Sequence, residues 1–148
     1  MITIDEASHD DIPQLCDLLA FLFTQEQAFQ PDAQTQTAAL NLLVGNPQQG
    51  RVFVLRDGPR VIGMVSVQIL ISTARGGNVL FLEDLVIHPS HRNMGYGSAL
   101  LTHVVDFALH GSFSRITLLA DTVNLDAQRF YCRHGFRLSN MQPYRLLL

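Results

Sequence analysis

The chain contains no lysine and no tryptophan, and its ten basic residues are all arginine. A P-loop for nucleoside triphosphates requires a lysine after its second glycine, so this kind of phosphate site is excluded. The arginines are scattered along the chain and the net charge is −3. Nucleic-acid-binding proteins carry a basic patch that neutralises phosphates, so this charge pattern predicts no nucleic-acid partner.

Cysteine, long apolar runs and metal-binding motifs are also scarce or missing. Cys16 and Cys132 are the two cysteines, too few for a disulfide framework, and they predict free thiols. No apolar run approaches the roughly 20 residues of a membrane helix, and the N-terminal residues lack the pattern of a signal peptide. The six histidines show no zinc-binding spacing. These absences predict a cytoplasmic protein with no membrane association and no metal ion.

The length and the periodicity of the chain predict one α/β domain. Its 148 residues, of which 47% are hydrophobic, suffice for one packed core, so a single domain over residues 1–148 is expected. Apolar periodicity and turn residues divide the chain in the order β-α-α-β-β-β-α-β-α-β, with a last strand or two in the tail after Gly135. This order predicts a mixed sheet with helices on both faces and argues against a doubly wound dinucleotide fold.

A glycine-containing loop, residues 92–97, lies between a buried strand and an amphipathic helix. Backbone N–H groups at a helix N-terminus bind anions, and glycines let the backbone approach a bulky ligand. Arg92 adds a cation that could bind a diphosphate. A plain turn that needs glycine for its dihedral angles is the alternative, and the loop alone does not decide. The Rossmann fingerprint is excluded because Leu100 stands where its third glycine belongs.

Two motifs resemble those of the GNAT superfamily of N-acetyltransferases. Residues 92–97, RNMGYG, resemble its R/Q-x-x-G-x-G/A loop. Asn93 stands where glycine is common, and asparagine tolerates the left-handed backbone there. A second motif, N-x-x-A-x-x-F-Y-x-R-x-G-F, is formed by Asn124, Ala127, Phe130, Tyr131, Arg133, Gly135 and Phe136. The resemblance implies an α/β (α+β) domain with a mixed, mostly antiparallel twisted sheet of about six or seven strands and about four helices.

The resemblance also implies acetyl-CoA as the cosubstrate. In this family the loop N–H groups hold the pyrophosphate. The preceding strand, which is bulged and splays from its neighbour, lines the pantetheine arm. The residues expected to bind the cofactor are Leu85, Val86, Ile87, Arg92, Asn93, Met94, Gly95, Tyr96, Gly97, Ser98 and Asn124.

Two residues are expected to act as the acid and the base of the reaction. Tyr131 is the expected acid for the leaving thiolate, and the alternative is an ordinary packing tyrosine. Glu83 is the expected base, because "LEDLVI" resembles the diamine and polyamine branch of the superfamily; a structural ion pair with an arginine is the alternative. Strand alternation points Glu83 and Asp84 to opposite faces unless a bulge intervenes.

The resulting prediction is direct transfer of an acetyl group to the primary amine of a small, cationic acceptor. Glu26, Phe29 and Asp84 are the residues expected near that acceptor. Three alternatives stay open: a catalytically weak module that binds coenzyme A, an acetyltransferase for a protein or peptide N-terminus, and an unrelated nucleotide-binding domain. A homodimer is also left open as the assembly state.

Overall fold

The computed structural model describes residues 1–26 and 30–148 and contains one central sheet with helices on both faces. Its strands are β1 (Ile2–Glu6), β2 (Gly50–Asp57), β3 (Arg60–Ser72), β4 (Gly77–Ile87) and β5 (Ile116–Leu118). Its helices are α1 (Ile12–Gln25), α2 (Ala33–Leu43), α3 (Tyr96–His110) and α4 (Leu125–Arg133). None of the described helices is long and apolar enough to cross a membrane.

The sheet is mixed and mostly antiparallel, as predicted. Its strands lie in the order β1-β2-β3-β4-β5. The first four pair antiparallel, and β4 pairs parallel with β5. The hairpin predicted around Gly58 joins β2 to β3, and Gly58 has a φ of 59°. The parallel pair requires a crossover, which α3 provides.

The sheet has five strands, so the predicted count of about six or seven was too high. The missing strand is the one expected in the tail, where residues 137–148 form no strand. The apolar pattern is present there, but its side chains are exposed, such as Leu138 at 99% and Leu148 at 115%. A strand needs a neighbour for its backbone groups, and β5, the edge strand, spans only Ile116–Leu118.

Hydrophobic clusters pack on the two faces of the sheet. Alternate residues of β2 divide between them: Val52 and Val54 belong to the cluster under α1 and α2, and Phe53 and Leu55 to the cluster under α3. This alternation is what a strand covered on both faces requires. The sheet is therefore held rigidly between helices, and β4 and α3 position the loop between them.

A buried ion pair ties the start of α1 to the sheet. Asp11 is 6% exposed, and its carboxylate accepts hydrogen bonds from both terminal nitrogens of Arg56 at 2.7 and 2.8 Å. The Arg56 guanidinium lowers the pKa of Asp11, and the Ser8 backbone N–H adds to this effect. Arg56 also donates to Asp5 on β1 at 2.8 Å, so one cation links α1, β1 and β2.

Replacing Asp11 by asparagine is expected to lower the free energy of unfolding by about 3 kcal/mol at pH 7, because the Arg56 cation then loses its main partner. The pKa of Asp11 is depressed, so its contribution is present above the usual carboxyl pKa and is lost as pH falls through the lowered value. Urea unfolding should therefore show a difference from wild type that shrinks at acid pH. Asp10→Asn at the exposed neighbour is the control, and an equal loss there would contradict this role.

Candidate active site

A gap opens between β4 and β5 halfway along β4. The parallel pairing ends at Leu82 and Leu118. Ser66 of β3 pairs with Asp84, whereas Val67 pairs with Leu82, so Glu83 is an extra residue in a bulge. Beyond the bulge, residues 84–87 pair with β3 but not with β5. The bulged and splayed strand expected from the family resemblance is therefore confirmed.

This gap is the floor of a cleft of about 540 Å³. The cleft runs from β4 to α4, and α1 closes one side. Its lining includes six of the residues expected to bind the cofactor, namely Leu85, Val86, Ile87, Arg92, Gly97 and Asn124, together with the expected acid, Tyr131. The two motifs, separated in sequence, thus meet on opposite walls of one cleft. Its remaining lining residues are Leu22, Gln25, Asp126, Ala127 and Phe130.

The loop before α3 has the geometry of an anion-binding site. Asn93 has a φ of 61°, which confirms that asparagine accommodates the left-handed backbone at this position. Gly95, with a φ of 80°, is the N-cap of α3, and the helix begins at Tyr96. Within residues 1–26 and 30–148, the backbone N–H groups of residues 92–98 donate to no protein acceptor. These free donors lie at the positive end of the α3 dipole, which suits a diphosphate.

Arg92 spans the cleft from the loop to α1. Its Nε donates to the Ile87 carbonyl at 3.3 Å. Its two terminal nitrogens donate to the side-chain oxygen of Gln25 at 2.9 and 3.0 Å when that amide is oriented with its oxygen towards the guanidinium. A neutral amide is a weaker partner for arginine than a phosphate. Arg92 is therefore held at the cleft while keeping its charge available for an anionic ligand.

The other residues of the expected cofactor site take several positions. Met94 is 58% exposed at the loop tip, whereas Tyr96 packs against the core under α3. The Ser98 hydroxyl is hydrogen-bonded to His134 at 3.0 Å. Asn124 caps α4 by accepting from the Ala127 N–H at 3.1 Å, and it also lines the cleft. For Ser98 the free group that faces a ligand is thus its backbone N–H rather than its hydroxyl.

Tyr131 projects from α4 into the cleft. Its ring lies edge-on to Phe130 and Phe136, with centroids 5.2 and 5.8 Å away. Burial, together with the negative charges of Glu26 and Asp84, raises the pKa of Tyr131 to about 12. The phenol therefore stays protonated at neutral pH. In the part of the chain that the structure describes, its hydroxyl has no hydrogen-bond partner, so it is available as a donor to a ligand.

The two adjacent carboxylates at the bulge have different environments. Glu83 is exposed. Asp84 is half-buried and accepts a hydrogen bond from the buried Ser66 hydroxyl at 3.1 Å. Burial, followed by the negative charge of Glu83, raises the pKa of Asp84 to about 6. Asp84 is therefore a carboxylate whose proton affinity is tuned close to neutral pH.

Glu26, at the end of α1, completes a group of acidic residues around Tyr131. Burial raises the pKa of Glu26, and the charges of Asp121 and Glu83 add to the effect. Phe29, the other residue expected near the acceptor, lies outside the described residues. Among those that are described, no three His, Cys, Asp or Glu side chains form a metal-binding group.

Sequence reasoning placed Glu26, at the end of α1, near the acceptor, but it missed two residues of the helix itself. Gln25 and Leu22 both line the cleft, but neither belongs to a motif. Gln25 reaches Arg92 only because α1 packs across β4, which is a contact between residues far apart in the chain. The helical spacing of α1 shows which face packs on the sheet, but it does not indicate that its last turn borders a ligand site.

Comparison with known proteins identifies the family. The profile of the acetyltransferase (GNAT) family matches residues 12–136, which include both motifs and every strand from β2 to β5. The chain belongs to this family, and the resemblance of its two motifs is confirmed.

Similar proteins agree with this assignment. The aminoalkylphosphonate N-acetyltransferase of Salmonella typhimurium is 27% identical over 136 residues, covering 92% of this chain and 85% of that protein. The glucosamine 6-phosphate N-acetyltransferase of Trypanosoma brucei brucei is 29% identical over 93 residues, and the match spans 61% of its length. A possible acetyltransferase from Clostridium difficile 630 superposes with a TM-score of 0.90 at 17% identity, covering 100% of this chain and 98% of that one. That likeness establishes the fold.

Proposed function

We propose that this chain is an N-acetyltransferase, with residues 1–148 as one catalytic domain. It would move the acetyl group of acetyl-CoA directly to a primary amine of a small, cationic acceptor. The observation that carries the proposal is the cleft where β4 splays from β5. There, free backbone donors at the α3 N-terminus and the protonated hydroxyl of Tyr131 border one continuous space.

Both ends of the cleft offer groups that would suit coenzyme A. The unbonded N–H groups of residues 92–98 and the Arg92 guanidinium suit the pyrophosphate. The backbone of residues 85–87, which has no β5 partner, can hydrogen-bond the amide groups of the pantetheine arm. Acetyl-CoA bound in this way supplies a thioester, an acetyl group already activated for attack by an amine.

The carboxylates of the bulge would remove the amine's proton. An amine of pKa about 10.4 costs roughly 4.6 kcal/mol to deprotonate at pH 7, so a nearby base accelerates the reaction. Glu83 is the base predicted from sequence. We propose that Asp84 accepts the proton instead, because it is half-buried, fixed by Ser66 and tuned to a pKa of about 6. The exposed Glu83 would then attract the charged acceptor.

The last step of the reaction releases coenzyme A as its thiol. As the carbon–sulfur bond breaks, negative charge develops on sulfur. Tyr131 would donate its hydroxyl hydrogen to this sulfur, since the hydroxyl stays protonated and has no partner in the described chain. This assigns the acid role to Tyr131, as the second motif predicted.

The acidic surroundings support a cationic acceptor. Glu26, Glu83, Asp84 and Asp121 lie close enough to affect one another's charge states. Their mutual repulsion would be relieved by a bound cation. The named activities of the relatives, on a glucosamine phosphate and on aminoalkylphosphonates, also make a small amine the first acceptor class to examine.

A panel of acceptors tests this proposal by measuring thiol release from acetyl-CoA, corrected for hydrolysis. Polyamines, amino sugars, aminoalkylphosphonates and peptides with a free N-terminus should be compared. Turnover with small amines, cationic ones above all, is the expected result. Turnover with peptides alone would favour an N-terminal acetyltransferase. Tight binding of coenzyme A without turnover of any amine would favour a binding module.

Adding a methyl group at Gly97 is expected to weaken acetyl-CoA binding by about tenfold, the lower end of the cost of overpacking. Gly97 lines the cleft, and a Cβ there would lie 3.5 Å from Phe130, an ordinary contact, so Gly97→Ala should fold normally. Gly95 is a poorer test, since its φ of 80° strains any L side chain. Isothermal titration measures the affinity. Gly77→Ala, where a Cβ meets nothing within 4 Å, is the control. An unchanged affinity in Gly97→Ala would remove this loop from the binding site.

A further inference from the structure

A group of four basic residues adjoins the loop end of the cleft, and three of them lie outside the positions assigned so far. Arg60 opens β3, His88 follows β4, and His91 ends a 3₁₀ turn that precedes Arg92. We call these four residues the Arg60–His88 cluster. Its rings are close together: the His88 ring centroid lies 5.9 Å from that of His91 and 5.1 Å from that of Phe21 on α1. Because Arg92 lines the cleft, the cluster is continuous with it.

Two hydrogen-bond donors face each other in this cluster. The Ser90 backbone N–H donates to His88 Nδ1 at 3.1 Å, so Nδ1 is an acceptor and carries no proton. A neutral His88 must therefore carry its proton on Nε2. That atom lies 3.4 Å from Nη2 of Arg60, which is also a donor. Neither N–H can satisfy the other, whereas an oxyanion beside them would accept from both.

The charges around His88 are all of one sign. Burial lowers the pKa of His88, and the positive charges of Arg60, His91 and Arg92 lower it further. Within residues 1–26 and 30–148, neither Arg60 nor Arg92 forms an ion pair with a carboxylate. Like charges held together without a counter-charge favour an anion with more than one negative charge.

We propose that the Arg60–His88 cluster binds a phosphate monoester, and that the 3′-phosphate of coenzyme A is its first source. This inference rests on the proposed function. Asp84 and His88 are four positions apart along an extended segment, which corresponds to about 13 Å. A small acceptor with its amine at Asp84 is too short to reach the cluster. The loop proposed to bind the pyrophosphate follows His91 directly, so the nucleotide end of the cofactor would lie beside the cluster.

The test compares coenzyme A with dephospho-coenzyme A, which lacks only the 3′-phosphate. Wild type should bind coenzyme A at least about tenfold more tightly, the effect of one hydrogen bond to a charged group. In Arg60→Gln this preference should fall towards one, while the affinity for dephospho-coenzyme A stays unchanged. Arg75→Gln, at an exposed arginine that contacts Ser114 away from the cleft, should keep the full preference.

A second set of measurements tests whether the bound phosphate belongs to the acceptor. If Arg60→Gln raises the KM of a phosphorylated amine but not of its unphosphorylated counterpart, the cluster binds a phosphate monoester and the acceptor is its source. If wild type binds both coenzyme A forms equally and Arg60→Gln changes neither acceptor, the inference is overturned while the proposed function stands. If neither coenzyme A form binds, the proposed function itself fails.

A spectroscopic readout separates binding from a structural role of Arg60. A phosphate dianion beside His88 stabilises the imidazolium form, so adenosine 3′,5′-bisphosphate should raise the pKa of His88 in an NMR titration. The same ligand should leave His103, on α3, unaffected. A pKa of His88 that does not move in the presence of saturating ligand contradicts the proposal.

Discussion

Tyr131→Phe is expected to lower kcat by about 10²–10⁴-fold, the usual contribution of a general acid. The variant keeps the ring between Phe130 and Phe136, so burial and packing are preserved. Because only the hydroxyl is lost, the affinity for acetyl-CoA should change little, and kcat and kcat/KM should fall together. Steady-state rates and a parallel titration with coenzyme A measure the two effects separately.

Tyr144→Phe is the matched control, because it removes the hydroxyl of a tyrosine that is 92% exposed in the tail. The pH profile adds a second check. Since the pKa of Tyr131 is raised to about 12, wild-type kcat should show no loss from phenol ionisation at pH 9 or 10. A kcat for Tyr131→Phe within about twofold of wild type would make Tyr131 a packing residue.

Asp84→Asn is expected to lower kcat/KM at pH 7 by about 10²–10⁴-fold. Asp84 acts as a base only when ionised, and its pKa is about 6. The wild-type kcat/KM should therefore fall as pH decreases below this value, and the variant should lack that acid limb. The loss caused by the variant should shrink as pH approaches the pKa of the acceptor amine, because free amine then no longer needs a base. A pH series of initial rates measures both features.

Glu83→Gln at the neighbouring residue separates the two carboxylates. If Glu83 attracts the acceptor, its loss should raise the acceptor KM and keep the acid limb. The limb should move to lower pH, because the charge of Glu83 contributes to the raised pKa of Asp84. If Glu83→Gln instead gives the loss that shrinks with rising pH, and Asp84→Asn does not, Glu83 is the base as the sequence predicted.

Stability measurements would show whether unfolding causes these losses. Asp84 has a folded pKa raised above its usual value of 3.8, so the folded state is favoured when it is protonated. Its contribution to stability is greatest below the usual pKa and is lost as pH rises through about 6. Asp84→Asn should therefore be more stable than wild type at pH 8, by up to about 3 kcal/mol. Urea unfolding at pH 8 checks this directly.

Much of the fold could be predicted because its signals are local. Alternation and turn residues locate the β2–β3 hairpin, and helical spacing locates α1 and α3. The tail was assigned wrongly for the same reason, since its apolar pattern says nothing about whether a partner strand is available. The β5 edge strand is too short to offer one over the length of the tail.

The sequence predicted those parts of the cleft that a single motif forms. Arg92 and Gly97 from the loop motif and Asn124 and Tyr131 from the second motif line the cleft, so each motif supplies neighbouring residues of one wall. The roles of Glu83 and Asp84 depend on which residue forms the bulge, and the sequence pattern of the strand does not show that it is Glu83. Contacts such as Gln25 with Arg92 and Arg60 with His88 join separate elements, so they appear only in the folded chain.

The activity proposed for this cleft is the transfer of an acetyl group from acetyl-CoA to an amine. The most direct measurement mixes the protein with acetyl-CoA carrying an isotope label in the acetyl group, adds a primary amine, and follows the label by mass spectrometry. The label is expected to appear on the amine at a rate that depends on both amine and protein and that drops in Tyr131→Phe. If acetyl-CoA binds but the label stays on the thioester with every amine tested, the protein is not an amine acetyltransferase.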